Sequence, residues 1–157
     1  KYVYSHVGYN LKATDMQAAL GVSQLKKLSL FAEVRRQNFD RLYDGLKDLE
    51  EFFILPQATL HAKPSWFGFP LAVRTDAPFL RRDLIRHLDA AKIDTRLLFG
   101  GNLIRQPAFR GVPHRRIGEL QNSDCVMNQV FWIGVYPGLN REMIDYMIET
   151  IHEYVRR

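Results

Sequence analysis

The sequence has 157 residues, of which 46% are hydrophobic and 25% charged, a composition ordinary for a soluble domain with its own core. No apolar run approaches the ~20 residues of a membrane-spanning helix, so we expect no membrane insertion. The single cysteine, Cys125, excludes an internal disulfide framework and a cysteine-rich metal site, and it favours a reducing, cytoplasmic location. The net charge is +5, but the basic residues are not interleaved with aromatic ones. We therefore interpret them as a solvated face and expect no nucleic-acid partner.

The first predicted elements are a short extended arm over residues 2–6 and a long helix. Thr14 is typical of a helix N-cap, and Gln17, three residues further on, completes a capping box. We expect the helix to bend or break near Ser29. Its second half carries one apolar stripe at helical spacing, formed by Phe39, Leu42, Leu46 and Leu49.

Strands and a helix are predicted next. Residues 52–55 predict a short strand, and residues 65–73 predict a second strand in which Pro70 indicates an edge position or a bulge. The Asp-Ala-Pro triplet at residues 76–78 predicts the start of a helix. Residues 93–99 then alternate as a third strand, which a Gly-Gly turn ends.

The last third of the chain adds a strand between two helices. Asn122 or Ser123 is the expected cap of a short helix, and residues 131–136 predict a strand. Asn140 is the expected cap of the terminal helix, whose apolar residues recur at i, i+3 and i+4. A long helix followed by alternating strands and helices predicts an α/β or α+β fold, with a short sheet packed against helices.

Three segments carry residues that could bind a ligand. Residues 8–19 form a polar, glycine-containing loop before a helix, where backbone and side-chain donors such as those of Asn10 and Lys12 can gather around an anion. Residues 65–70 are unusually aromatic for an edge strand, and residues 95–102 combine arginine, phenylalanine and asparagine around a strand end. The structural alternative for these segments is an aromatic core with ordinary turn chemistry.

Two other patterns favour structural roles. Ser23 and Lys26 have the spacing of a serine nucleophile and its lysine base, but they lie inside an amphipathic helix without a Lys-Thr-Gly partner. His61, His87 and His152 are scattered along the chain, which is typical of surface or helix-end residues rather than metal ligands. We predict neither a metal site nor a catalytic residue in this chain.

Taken together, the motifs resemble the pyridoxal-phosphate-dependent sugar aminotransferase and dehydratase family of fold type I, the DegT family. Residues 8–19 match its signature, Gly-Tyr-Asn-x-Lys/Arg-x-Thr-Asp-x-Gln-Ala-Ala. The Tyr-Pro-Gly-Leu run at residues 136–139, before a capped helix, is similar to the family's C-terminus. The resemblance runs over essentially the whole chain and implies the small C-terminal domain of such an enzyme.

Within the family, the chain most resembles the CDP-4-keto-6-deoxyglucose 3-dehydrase branch. The similar runs are residues 4–12, 65–70, 95–102 and 131–136. Sugar aminotransferases usually have histidine after the tryptophan, where this chain has Phe67. That departure favours the dehydrase.

The resemblance also implies site residues. Asn10 would reach the cofactor phosphate of the partner subunit, and Lys12, where many relatives have arginine, would lie near the cofactor or the substrate diphosphate. A lysine supplies a point charge rather than a bidentate fork. The implied substrate-binding residues are His6, Phe67, Arg96 and Asn102, the last two as nucleotide-sugar contacts.

The reaction implied by the resemblance is the loss of the sugar 3-hydroxyl as water, with pyridoxamine or pyridoxal 5'-phosphate as cofactor. A [2Fe-2S] cluster would relay electrons from a partner reductase, in a homodimer that binds a CDP-sugar. One cysteine cannot hold a cluster that normally takes four thiolates. We therefore expect residues 1–13 to be an arm and cofactor-phosphate loop, residues 14–157 to be the C-terminal domain, and the cofactor domain with the cluster to precede them. The fragment alone is expected to be inactive.

Two alternatives remain open. A sugar aminotransferase of the same family would hold its cofactor through a lysine and deliver an amino group. A non-catalytic anion-binding or interaction module would keep the fold without the chemistry. Binding of neither pyridoxamine phosphate nor pyridoxal phosphate would favour the module.

Overall fold

A four-stranded antiparallel sheet lies at the centre of the computed structural model, which describes Tyr9 and residues 11–156. The strands are β1 (Phe53–Ile54), β2 (Gly68–Val73), β3 (Thr95–Leu97) and β4 (Val130–Gly134). Their order across the sheet is β1-β2-β4-β3, and each neighbouring pair is antiparallel. Mixed helices and an antiparallel sheet make the fold α+β, as the sequence predicts.

The described part of the chain has five α-helices and three short 3-10 turns besides the sheet. The α-helices are α1 (Asp15–Leu25), α2 (Leu28–Leu46), α3 (Arg81–Ala90), α4 (Gln121–Gln129) and α5 (Arg141–Val155). The 3-10 turns are Lys47–Leu49, Leu103–Arg105 and Pro107–Phe109. The core joins apolar residues of α2, α3 and α5 to alternate residues of the strands, so these three helices cover one face of the sheet.

The predicted capping box is confirmed at the start of α1. The Thr14 hydroxyl oxygen accepts from the Gln17 backbone N–H at 3.3 Å, and the Gln17 side-chain oxygen accepts from the Thr14 N–H at 2.9 Å. The predicted break in the long helix occurs at Lys26 and Lys27, two residues earlier than Ser29. Every residue of α1 is exposed.

Two predicted helix starts are wrong. Residues 76–78 form a turn, and α3 begins only at Arg81, because the residue before a proline is biased away from helical geometry. Helix α4 begins before both expected caps, since Leu120 adopts a left-handed conformation with φ of 56° and turns the chain into the helix. The Asn140 cap is confirmed, its side-chain oxygen accepting from the Met143 N–H at 2.9 Å.

Pro70 lies in a strand that is interior in the order of the sheet, although the sequence indicates an edge or a bulge. Its pairing with β4 is continuous from Gly68 to Ala72, with Pro70 opposite Trp132. Strand β1 pairs only with the far end of β2, at Ala72 and Val73. Pro70 therefore has a strand neighbour on the β4 side alone, which is the position that a residue without an N–H tolerates.

Two basic side chains are partly buried, and His152 lies in the last turn of α5, one of the two positions that the sequence indicates for it. His152 is 14% exposed in its side chain, and its Nε2 lies 2.8 Å from the Gly45 carbonyl oxygen, so it joins α5 to α2. Arg81 donates from Nη1 to the carbonyl oxygens of Met127 and Val130, at 2.8 and 2.9 Å. Burial lowers the pKa of this guanidinium from its usual range. Arg81 thus ties α3 to the end of α4 rather than forming part of a solvated face.

Candidate functional site

The face of the sheet opposite the core helices carries the candidate site. Phe69 and Leu71 of β2 point into the core, so their neighbour Pro70 points to the other face. The register places Pro70 opposite Trp132, and Trp132 opposite Arg96 on β3. Residues that are directly opposite in a sheet share a face, so these three side chains form a row across the uncovered side.

An aromatic pair stands beside this row. The rings of Phe67 and Trp132 have centroids 5.0 Å apart and an angle of 57° between their planes. Phe67 is 73% exposed. Gly68 makes the pair possible, because a Cβ at that position would collide with the indole ring of Trp132. The glycine thus lets the indole lie flat against β2 while Phe67 stays accessible to a ligand.

Helix α2 holds the segment that carries Phe67. Arg35 donates from Nη1 to the carbonyl oxygens of Trp66 and Phe67, at 3.0 and 3.3 Å. The Trp66 ring stacks on Phe39, with centroids 4.0 Å apart and 4° between the planes. The aromatic run predicted from sequence therefore divides: Trp66 anchors the segment to the core, and Phe67 faces outward.

Arg96 presents a cationic fork on the same face. Its side chain is 63% exposed, and Nη2 lies 3.0 Å from a carboxylate oxygen of Asp94. An exposed ion pair of this kind contributes at most about 1 kcal/mol, so a phosphate could replace Asp94 at small cost. The guanidinium can bind two phosphate oxygens at once. The structure thus brings two predicted residues, Phe67 and Arg96, to opposite sides of Trp132.

Asn102 lies in a different environment. It is 3% exposed, and its Nδ2 donates to Oδ1 of Asp124 at 2.8 Å. Arg105 donates to both oxygens of the same carboxylate, from Nε at 2.8 Å and from Nη2 at 2.7 Å. Hydrogen bonds from Arg105 and Asn102 lower the pKa of Asp124 to about 2. The contact between Asn102 and a nucleotide-sugar stays a prediction, while its amide in this structure is bound to Asp124.

The remaining predicted residues belong to the N-terminal segment. Lys12 is exposed just before α1. His6 and Asn10 lie outside the described residues, so their roles stay predictions. Within Tyr9 and residues 11–156, no cluster of three or more histidine, cysteine, aspartate or glutamate residues could hold a metal ion. Among the helices in the same part of the chain, none has the length and apolar character to cross a membrane.

Sequence reasoning missed Trp132 as a site residue. It lies between Phe131 and Ile133, both fully buried, so a uniformly apolar run concealed an outward-facing ring. The useful signal was strict alternation: the tryptophan falls on the opposite face from its two neighbours.

Comparison with known proteins gives two close relatives. The chain is 53% identical over 154 residues to the lipopolysaccharide biosynthesis protein RfbH of Salmonella typhimurium, covering 98% of this chain and 35% of the relative. It is 52% identical over 157 residues to dTDP-4-dehydro-2,6-dideoxy-D-glucose 3-dehydratase of Saccharopolyspora spinosa, covering 100% of this chain and 34% of the relative. The chain therefore spans about a third of the length of these relatives.

A solved structure shows the same fold. A variant of GDP-4-keto-6-deoxymannose-3-dehydratase with bound GDP-perosamine matches 96% of this chain and 38% of its own, with a TM-score of 0.84 and 27% identity. Further structural neighbours include the same dehydratase with hydrated pyridoxal phosphate. The family model of the DegT/DnrJ/EryC1/StrS aminotransferases matches residues 1–152. This chain belongs to the DegT/DnrJ/EryC1/StrS aminotransferase family.

Proposed function

We propose that this chain is the C-terminal part of a nucleotide-sugar 3-dehydratase that uses pyridoxamine or pyridoxal 5'-phosphate. The observation that carries the proposal is the sheet face away from the core helices, where the Phe67–Trp132 pair lies next to the Arg96 fork. An aromatic surface suits the base or the sugar ring, and a guanidinium suits the diphosphate. The relatives support the reaction class, because one is named as a dTDP-sugar 3-dehydratase and another as a GDP-sugar 3-dehydratase.

The finer assignment is CDP-4-keto-6-deoxyglucose as substrate. Its support is the resemblance of residues 4–12, 65–70, 95–102 and 131–136 to the CDP-specific branch. The role in making lipopolysaccharide sugars is supported by the name of the Salmonella typhimurium relative. We extend the proposal to a cytoplasmic homodimer supplied with electrons by a partner reductase.

The described residues fit the cofactor only in part. Lys12 can pair with a phosphate, while Asn10 lies outside the described residues. When bound, the cofactor supplies the electron sink for removing the sugar hydroxyl. We derive no step through it from this chain. The proposed role of Arg96, Phe67 and Trp132 is to bind and orient the nucleotide-sugar, and the [2Fe-2S] cluster remains a proposal for a longer polypeptide.

Nucleotide binding tests the site, and the assay uses the longest natural polypeptide that contains this sequence. Calorimetric titration with CDP, dTDP and GDP should show binding, with CDP the tightest. Arg96→Ala and Trp132→Ala should each weaken binding by about tenfold to a hundredfold, since a charged hydrogen bond or a stacked ring contributes ~1–3 kcal/mol. Arg86→Ala is the matched control, because that arginine is 78% exposed on α3.

Product analysis tests the reaction. Loss of the 3-hydroxyl from CDP-4-keto-6-deoxyglucose would support the dehydratase, and an aminated sugar would support the aminotransferase. The aminotransferase has its own support, since dTDP-4-amino-4,6-dideoxy-D-glucose transaminase of Shigella dysenteriae is a 26% identical relative. Phe67, where aminotransferases usually have histidine, favours the dehydratase. A protein that binds neither nucleotides nor cofactor would overturn both and favour a non-catalytic module.

A further inference from the structure

The loop that follows β3 has an unusual backbone. We call residues 98–106 the glycine loop, after its Gly-Gly pair at residues 100–101. Phe99 has a φ of 51° and Gly101 a φ of 61°, so the chain enters the left-handed region twice within three residues. Glycine adopts this region freely, but a bulky aromatic residue such as Phe99 does so only where its surroundings hold it there. Something outside the strand must therefore fix the loop.

Helix α4 supplies that restraint through Asp124. The carboxylate accepts from Asn102 and binds Arg105 bidentately, with all three donor–acceptor distances between 2.7 and 2.8 Å. It thereby grips two points of the glycine loop three residues apart. Asn102 is only 3% exposed, so water cannot replace its hydrogen-bond partner. Its side-chain amide therefore depends on the Asp124 carboxylate.

Two further contacts restrain the glycine loop, one within the loop and one with α4. Gln106 donates from Nε2 to the Gly100 carbonyl oxygen at 2.8 Å, which closes the loop on itself. Gly101 lies so close to Met127 of α4 that a Cβ there would collide with the methionine. The glycine loop therefore packs against α4 at Gly101, and Asp124 holds the residues that follow Gly101 by hydrogen bonds.

The consequence of the clamp lies at Phe99. This residue is 89% exposed, and its N–H donates to the Leu97 carbonyl oxygen at 2.8 Å, directly after the strand that carries Arg96. Among the described residues the ring does not belong to the core, and strained backbone of this kind is concentrated at ligand sites. Phe99 follows Arg96 by three positions, at the end of the strand that carries the arginine.

We propose that Asp124 is a positioning residue, which acts through Asn102 and Arg105 to hold the glycine loop so that Phe99 contacts the nucleotide-sugar bound at Arg96. The inference rests on the proposed nucleotide-sugar site and adds Phe99 to it as a ligand contact. It also gives Asn102 a role different from direct contact: its amide supports the loop from beneath.

The first test needs no ligand. Hydrogen exchange is compared between the wild-type polypeptide and Asp124→Asn, which keeps the size of the side chain and removes its charge. We expect amides of residues 98–106 to exchange about tenfold faster or more in the variant, because charged hydrogen bonds are the stronger ones. Arg105→Gln is the second variant, in case the first fails to fold, because it leaves Asn102 paired with Asp124. Asp83→Asn is the control, since Asp83 pairs with Arg82 and Arg86 at the surface of α3.

The second test is a double-mutant cycle on CDP affinity. Phe99→Ala and Asp124→Asn should each weaken CDP binding by about fivefold to tenfold, and the double variant should be no weaker than Phe99→Ala alone, because both act through the same ring. The thermal unfolding midpoint of each variant is measured alongside. A merely structural role would lower that midpoint and leave the two binding effects additive.

The outcomes separate this proposal from the one it rests on. Unchanged hydrogen exchange of residues 98–106 in both Asp124→Asn and Arg105→Gln would show that Asp124 does not hold the glycine loop, whatever the protein binds. Faster exchange with unaltered CDP affinity, while Arg96→Ala weakens binding as expected, would overturn the ligand role and leave the nucleotide site standing. Absence of nucleotide binding by the wild-type polypeptide would overturn both. Faster exchange with non-additive loss of affinity would support the positioning role.

Discussion

The two faces of the sheet are built from the same strands but have different roles: one forms the core, and the other carries the candidate site. Toward the helices, Phe69, Leu71, Phe131 and Ile133 are fully buried. Toward the other side, Phe67 and Arg96 are exposed around Trp132. Alternation places stability and the candidate binding surface one residue apart in sequence. Neighbouring substitutions should therefore separate the two properties.

The largest difference between the two faces is expected when adjacent side chains of β4 are truncated one at a time. Phe131→Ala should lower the free energy of unfolding by about 3–5 kcal/mol, because it removes a fully buried ring and leaves a cavity. Trp132→Ala should lower it by less, ~1–2 kcal/mol, since the indole is only partly buried. Urea denaturation measures both. Equal losses would show that the uncovered face is part of the core.

A second prediction concerns the contact between the aromatic pair and β2. Gly68→Ala places a methyl group where the Trp132 indole lies, so the ring must move. We expect a loss of about 1–3 kcal/mol in the free energy of unfolding, together with altered tryptophan fluorescence. Gly21→Ala is the matched control, because a Cβ there meets open space. Unchanged fluorescence in Gly68→Ala would contradict the close packing.

The third prediction uses the low pKa of Asp124, which is about 2. Because the pKa of the folded protein lies below the ordinary carboxyl value of about 3.9, the ionised carboxylate stabilises the fold above that value, and the contribution is lost as the pH falls toward 2. In Arg105→Gln the pKa of Asp124 should rise toward the ordinary value. NMR titration of the carboxyl carbon measures it.

Arg86→Gln is the control for that titration, since Arg86 pairs with Asp83 on α3. Asp124 should keep its low pKa in this variant. An Asp124 midpoint that stays near 2 without Arg105 would show that the guanidinium does not hold the carboxylate.

The smallest global effect is expected at Thr14. Thr14→Ala removes one half of the capping box and should destabilise α1 locally by about 0.5–2 kcal/mol. Because every residue of α1 is exposed in this chain, the unfolding midpoint of the remaining fold should not change. Hydrogen exchange of the α1 amides measures the local effect. A large shift of the global midpoint would mean that α1 belongs to the same cooperative unit as the sheet.

Sequence reasoning recovered the features that depend on local chemistry. The Thr14 and Asn140 caps follow from side chains that reach only their own helix, and both are present. The order of strands and helices, and the outward position of Arg96, follow from the period of apolar residues. The same alternation groups Phe67 with the buried Phe69 and Leu71, but Phe67 is exposed because it precedes β2, which begins at Gly68. These features need no knowledge of distant contacts.

What the sequence could not supply depends on residues far apart in the chain. The hydrogen bond from Asn102 to Asp124 joins residues 22 positions apart, and it depends on how the glycine loop meets α4. The start of α4 depends on the left-handed Leu120, which no cap pattern indicates. Arg81 is partly buried, and its guanidinium donates to the carbonyl oxygens of Met127 and Val130, more than 40 positions along the chain.

The edges of the sheet have a consequence for how the protein behaves at high concentration. Strand β3 is an outer strand of only three residues with the charged Arg96 at its centre, and β1, at the other edge, has two residues. Short edges that carry a charge are poor templates for strand addition from another molecule. The Arg96 guanidinium, to which we assign diphosphate binding, therefore also disfavours edge-to-edge aggregation. Replacing Arg96 with an apolar residue should lower solubility as well as nucleotide affinity.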